Sequence, residues 1–155
     1  MKKSVVLLAV LFISVLVSAQ GVDFSGNWTL NSSKSKLGDQ FSMAPKEIIV
    51  VQKGNDLSLE KHSEFQDQQF TINDKFTLDG KECINDGWMD SKKKSTAVWS
   101  ADKKSLKISS KIAMQDGGEM TISETYTLNG GNMVIEMSAS SSYGDMSETQ
   151  VYDKK

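Results

Sequence analysis

From residue 24 to the C-terminus, apolar and polar residues alternate in short runs that are separated by turn-forming residues. Alternation with a period of two places successive side chains on opposite faces of a β-strand, whereas an amphipathic helix repeats its apolar residues every three or four positions. No long segment after residue 20 carries the helical pattern. The pattern therefore predicts an all-β fold of antiparallel strands.

The positions of the turns follow from a register test, because a turn should bring apolar residues opposite apolar residues. A two-residue turn at 130–131, in "LNGGNM", pairs Tyr126 with Ile135 and Glu124 with Met137. Gly-Gly suits the positive φ angles of such a tight turn. The same test predicts two-residue turns at 54–55, 79–80 and 102–103.

Two further hairpins follow from the same test. In "KIAMQDGGEM" a three-residue loop at 116–118 pairs Met114 with Met120, with the second glycine in the left-handed position of a bulge. In "FTLDGKEC" the Asp-Gly turn pairs Phe76 with Cys83. Both pairings keep the apolar residues on one face.

These turns link roughly eight to ten strands into a meander. A long meander in one domain either closes on itself or leaves exposed edges, and closure removes the edges. Lysine and serine dominate the positions that would face solvent. The preferred architecture is a single antiparallel up-and-down β-barrel, and a two-sheet sandwich is the alternative.

The first residues have the composition of an export signal. Lys2 and Lys3 precede an apolar run at 5–17, and small residues lead to a cleavage site after Ala19. We therefore expect a secretory signal peptide at 1–19, a barrel domain at 20–155, and a protein exported to a periplasm or secreted. A membrane anchor is the alternative, but the run is shorter than the roughly 20 residues of a spanning helix. We expect no integral membrane segment in the mature chain.

Composition excludes several classes of partner and chemistry. The chain has 18 basic residues, all of them lysine, and a formal net charge of −2. A mildly acidic chain without arginine has no footprint for nucleic acid. Cys83 is the only cysteine, so no internal disulfide can form. Stability must come from burial and hydrogen bonding.

The sequence offers no catalytic constellation. His62, the only histidine, lies on the opposite face of its strand from the inward Leu57 and Leu59 and is predicted to face solvent. Acid–base catalysis would need it inside a cleft beside a positioned partner. No nucleophile motif, zinc spacing or calcium loop is present, so we expect neither an enzyme nor a cofactor nor a metal.

The two ends of the chain resemble a known superfamily. "FSGNW", with Gly26 and Trp28, is similar to the Gly-x-Trp first strand of the calycins, which include lipocalins and fatty-acid-binding proteins. "TQVYDKK" resembles the last strand of the fatty-acid-binding proteins, and "FSGNWTLNSSKS" resembles the start of exported bacterial lipocalin-like proteins. The resemblance implies a lipocalin-like barrel. In such a barrel, Trp28 beside Gly26 would cap the floor, and an ordinary core Trp is the alternative.

The resemblance also implies a ligand site on the last strand. In fatty-acid-binding proteins an arginine and a tyrosine there hold the ligand carboxylate; this chain has Tyr152, with Gln150 in place of the arginine. A carboxylate-clamped fatty acid is therefore not expected. A turn at 143–145 would instead face Val151 inward, and we retain the family orientation. Residues 32–46 leave room for a loop or one short helix rather than a two-helix lid.

The preferred function is the binding of a small, largely apolar molecule inside the barrel. Methionine is an adaptable lining for such ligands, although it also serves as core filling or, more rarely, as a Cu(I) ligand. The expected ligand-binding residues are Met114, Glu124, Tyr126, Met137, Gln150 and Tyr152. The alternative is a ligand-free structural or protein-binding barrel filled by its own side chains. The oligomeric state is left open.

Overall fold

A computed structural model describes residues 21–87 and 90–155 of the protein. Within these ranges all regular structure is β-strand, joined by turns and loops. The ten strands are β1 (Gly26–Leu30), β2 (Glu47–Lys53), β3 (Asp56–Phe65), β4 (Gln68–Thr77), β5 (Cys83–Asp86), β6 (Lys92–Trp99), β7 (Ser105–Ala113), β8 (Glu119–Asn129), β9 (Asn132–Ser141) and β10 (Gly144–Lys154). The all-β prediction is confirmed. The described part of the chain contains no helix with the length and hydropathy needed to cross a bilayer.

The strands form one antiparallel sheet in which the first strand pairs with the last. The order across the sheet is β4-β3-β2-β1-β10-β9-β8-β7-β6-β5, so every neighbour except the β1–β10 pair is also a neighbour in sequence. Trp28 lies opposite Lys154 in the β1–β10 ladder. This is the predicted up-and-down barrel, and the sandwich does not form.

The two ends of the sheet, β4 and β5, meet through side chains. The predicted "DG" turn forms, but no backbone ladder between these strands accompanies it, so the pairing of Phe76 with Cys83 was wrong. The Asn85 amide crosses the seam instead, accepting from the Lys75 N–H at 2.8 Å and donating to the Lys75 carbonyl at 3.0 Å. A side-chain amide thus takes the place of a backbone pair.

Three turns form with the predicted registers, at 54–55, 102–103 and 130–131. The β7–β8 hairpin differs: its loop is residues 115–117, and Ile112 rather than Met114 lies opposite Met120. A shift of two residues keeps every side chain on its face, so the apolar pattern cannot distinguish the two registers. The positive φ of 83° belongs to Gly117, the first glycine of the pair.

The β9–β10 hairpin turns at residues 142–143, whereas the apolar register predicted 143–145. This difference changes the register of β10 by an odd number of residues, and an odd shift exchanges the two faces of a strand. Gln150 and Tyr152 therefore face the interior, as the family pattern implied, and Val151 faces outward. Val151 is nevertheless only 9% exposed, and its backbone binds the segment after β1: the Asn31 N–H donates to its carbonyl, and its own N–H donates to the Ser35 hydroxyl.

Aromatic side chains fill one end of the barrel. Phe24 stacks on Trp99 with ring centroids 6.0 Å apart and meets Tyr126 edge-on at 6.1 Å. Trp28 is buried beside them, and its indole N–H donates to the Phe24 carbonyl at 2.9 Å. Satisfying that donor is what allows a tryptophan to be fully buried.

The Lys154 side chain lies across this aromatic end. Its Nζ is 5.3 Å from the centroid of the Trp28 ring, which is a cation–π geometry. Gly26 makes room for it: a Cβ at that position would lie 2.7 Å from the Lys154 Cε, and the φ of Gly26 is +145°. The lysine end could move aside, so it is the positive φ of Gly26 that favours glycine at this position of the Gly-x-Trp motif.

Candidate functional site

A layer of polar and charged side chains crosses the middle of the barrel interior. Lys61 continues the inward series of Leu57 and Leu59 on β3 and is only 7% exposed. Its Nζ lies 2.7 Å from Oε1 of Glu124 on β8, a strand that is not its neighbour in the sheet. The ion pair therefore spans the barrel.

A second ion pair lies in the same interior. Asp74 on β4 is 1% exposed, and the Lys93 ammonium on β6 lies 2.6 and 2.7 Å from its two carboxylate oxygens. Lys93 is itself mostly buried. Because β4 and β6 lie on opposite sides of the seam, this pair helps to hold the ends of the sheet together.

The interior charges stabilise one another. Burial opposes the Lys61 ammonium, but the Glu124 carboxylate, with smaller contributions from Tyr126 and Asp74, outweighs it and raises the pKa of Lys61 well above its usual value. Burial likewise opposes the Glu124 carboxylate, yet Lys61 and then Lys93 lower the pKa of Glu124. Burial, and then the Glu124 charge, raises the pKa of Tyr126, whose hydroxyl donates to Glu124 at 3.2 Å.

This arrangement predicts a loss of stability in acid. The pKa of Glu124 is lowered from 4.5 in the folded protein, so its contribution is present above that pH and is lost as the pH falls through the folded value. Urea titrations between about pH 7 and about pH 3 should show a falling free energy of unfolding. Glu124→Gln should flatten the curve below about pH 4.5, whereas Glu82→Gln on the surface should not. A wild-type stability independent of pH over this range would contradict the prediction.

A hydrogen-bonded chain links β10 to the segment between β1 and β2. The Tyr152 hydroxyl donates to the Pro45 carbonyl at 3.1 Å and lies 3.2 Å from Gln150 Oε1. Gln150 Nε2 donates to Glu148 Oε2 at 2.8 Å, and Glu148 Oε1 accepts from the Gly38 N–H at 3.0 Å. Burial raises the pKa of Tyr152, so this hydroxyl remains protonated. The segment crossing over β10 is a loop without a helix.

The structure brings five of the six expected ligand-binding residues to the interior faces of β8, β9 and β10. Met137 lies opposite Glu124 on one side and opposite Glu148 on the other. The five interior residues are Glu124, Tyr126, Met137, Gln150 and Tyr152. Met114 is half-buried in the β7–β8 turn and does not lie on a strand.

The sequence analysis missed four interior charges, namely Lys61, Asp74, Lys93 and Glu148. The alternation itself carried the signal for most of them. Lys61 lies two residues after Leu59, and Asp74 lies two before Phe76. Each was an inward position occupied by a charged residue, which indicates either a buried partner or a functional site.

Among the grooves of the described residues, two run along the strands of the sheet. One, of about 750 Å³, follows β6 to β10 and is lined mainly by serine, threonine and lysine, including a directly paired row across the five strands. The members of that row are Thr96, Ser109, Ser123, Ser138 and Ser147. The other, of about 360 Å³, includes His62, which lies on the outer face and pairs with Glu60 at 2.8 Å. In the described ranges no group of three or more His, Cys, Asp and Glu is placed to hold a metal.

Solved structures share this architecture. The zebrafish ileal bile acid-binding protein in complex with cholic acid superposes with a TM-score of 0.59 at 18% identity, over 85% of this chain and 98% of that chain. The apo lipid binding protein 8 of Caenorhabditis elegans gives 0.57 at 11% identity, over 85% and 95%. No protein-family model matches the chain. No curated protein sequence matches it either. These two structures share the antiparallel up-and-down barrel fold with this chain, as the sequence resemblance implied.

Proposed function

We propose that the barrel binds a small, largely apolar molecule in its interior and acts as a binding protein rather than an enzyme. The observation that carries this proposal is the buried polar layer. Burying an ion pair costs more desolvation energy than packing apolar residues of similar volume, so a purely structural core has little use for two such pairs. A ligand site needs a few polar groups within an apolar lining to fix orientation.

The apolar part of this interior supports the proposal. Met137 is buried at its centre, and Met43 and Met146 pack against the same core. Unbranched thioether side chains can repack around guests of different shape. The two structural neighbours, described as a bile acid-binding and a lipid-binding protein, share the fold and add support of the same kind.

Native mass spectrometry of the protein purified from its own source tests the proposal directly. The mass of the native protein should exceed that of the chain alone, and denaturation should release one class of small, largely apolar molecule. A protein that arrives without any such molecule, and takes up no apolar probe afterwards, would favour the alternative of a structural or protein-binding barrel.

Replacing Met137 with lysine should weaken the binding of an apolar ligand while keeping the fold. The lysine stem has about the length of the methionine, and its ammonium can pair with Glu124 and Glu148, which flank this position. We expect the affinity for the neutral probe N-phenyl-1-naphthylamine to fall by about tenfold or more, since a charge replaces the apolar wall.

The matched control is Val98→Lys on the outer face of β6, where the side chain is half exposed. Its affinity for the probe should equal that of the wild type. Circular dichroism and thermal unfolding should show that both variants fold. Unchanged probe binding in a folded Met137→Lys protein would remove Met137 from the site.

We also infer that residues 1–19 are a secretory signal peptide and that the barrel works outside the cytoplasm. The two lysines, the apolar run and the small residues ending at Ala19 support this inference. Intact mass measurement of the protein recovered from the periplasm or the medium should give a chain beginning at Gln20. Recovery of the full-length chain from the cytoplasm alone would contradict it.

A further inference from the structure

The interior of the described barrel carries one more negative charge than positive charges. Its cations are Lys61 and Lys93, which pair with Glu124 and Asp74. The third interior carboxylate, Glu148, has no ion pair among the residues that the structure describes. Two ion pairs thus cancel, and Glu148 is left over.

Glu148 is held by neutral groups alone. Its side chain is almost fully buried, with the residue 3% exposed. Its two oxygens accept from the Gly38 N–H at 3.0 Å and from the Gln150 amide at 2.8 Å. A buried carboxylate is unfavourable unless a cation compensates it, and two neutral donors fill only half of its acceptor positions.

The position of Glu148 suits the head of an elongated ligand. It lies directly opposite Met137 on the neighbouring strand, so an apolar chain packed against the methionine would place its polar end beside the carboxylate. On its other side it lies under Gly38, in the loop that crosses this part of the barrel. The site therefore joins an adaptable apolar wall to an anionic group close to the loop.

We propose that the interior site selects an amphiphile with a positively charged ammonium headgroup, which binds Glu148 while the apolar chain packs against Met137. The opposite class, a fatty acid, would bring a second carboxylate to a site whose lysines are already paired. This inference rests on the proposed function and specifies the chemical class of its ligand.

The test is a set of three probes that share one chain and differ in the headgroup: dodecylamine, dodecanol and dodecanoate, each titrated below its micelle concentration at neutral pH. Displacement of N-phenyl-1-naphthylamine from the wild-type protein reports each Kd. We expect dodecylamine to bind about tenfold or more tighter than dodecanoate, as a charge-assisted hydrogen bond requires. Dodecanol should lie between them.

The variant Glu148→Gln keeps the shape of the side chain and removes its charge. Its Kd values for dodecylamine and dodecanoate should become about equal, and its Kd for dodecanol should be nearly unchanged. The control Glu82→Gln, at an exposed position in the loop before β5, should retain the wild-type preference.

Each outcome is decisive. If the wild type binds dodecanoate as tightly as dodecylamine, the headgroup assignment is wrong, although the interior site stands. If N-phenyl-1-naphthylamine binds but none of the three displaces it, the headgroup assignment is likewise wrong, and if neither it nor any of the three binds, the proposed function itself fails. These comparisons need only the wild-type protein, so they hold even if Glu148→Gln does not fold. A preference that survives in folded Glu148→Gln would also overturn the assignment.

Discussion

Lys61→Met should lower the free energy of unfolding by about 3–5 kcal/mol, because it leaves the buried Glu124 carboxylate without its cation. The pair is 2.7 Å long, and both side chains are largely withdrawn from solvent. Urea unfolding at neutral pH measures the effect as a shift in the midpoint at constant slope. The same change should bring the pKa of Glu124 upward, because the strongest attraction lowering it is gone.

Two further variants distinguish the effect of breaking the buried ion pair from the effect of losing a lysine side chain. Lys46 pairs with Glu64 at the surface, so Lys46→Met should cost at most about 1 kcal/mol. The double variant Lys61→Met/Glu124→Leu removes both charges and should recover most of the loss, since an apolar pair avoids the desolvation cost. Equal stabilities for Lys61→Met and Lys46→Met would show that the interior pair is solvated.

Trp28→Ala should cost about 3–5 kcal/mol, the range for emptying a large buried aromatic site. The change removes the indole from the aromatic end, deprives the Phe24 carbonyl of its donor and takes away the surface under Lys154. The free energy of unfolding measured in urea tests the value. Trp28→Phe should lose less, because a six-membered ring remains, although the five-membered ring of the indole and its N–H donor are removed.

Tyr143→Ala is the matched control for an aromatic truncation, because Tyr143 is 77% exposed in the β9–β10 turn. Its stability should stay within about 0.5 kcal/mol of the wild type. A similar loss at both positions would mean that Trp28 is not part of a close-packed barrel end.

Period-two alternation predicted the all-β architecture and the registers of three hairpins, because it follows directly from the geometry of a pleated chain with one buried face. It failed where two registers bury the same residues, as at the β7–β8 loop, where only the left-handed conformation of Gly117 distinguishes them. On β10 the family pattern gave the inward face of Gln150 and Tyr152, and the local register of apolar residues did not.

The interior site was predictable only in part. Glu124 and Tyr126 could be assigned to the inner face from one hairpin, because their partners are close in sequence. The cation that neutralises Glu124 lies 63 residues away, on a strand across the barrel. Alternation could place Lys61 inside, but no local pattern states which carboxylate it meets. Interior electrostatics of this kind depend on tertiary structure.

The ladder between β1 and β10 fixes the order in which this molecule can be completed. Residues 28 and 154 are partners, so the hydrogen bonds that join β1 to β10 connect segments far apart in the chain. While the chain is being synthesised, β1 has an unpaired edge until β10 has emerged. Contacts of such long range form slowly, and the open sheet is the state most exposed to wrong association. The stability of the finished barrel therefore says little about how readily the incomplete chain aggregates, which depends on how soon the last hairpin pairs with β1.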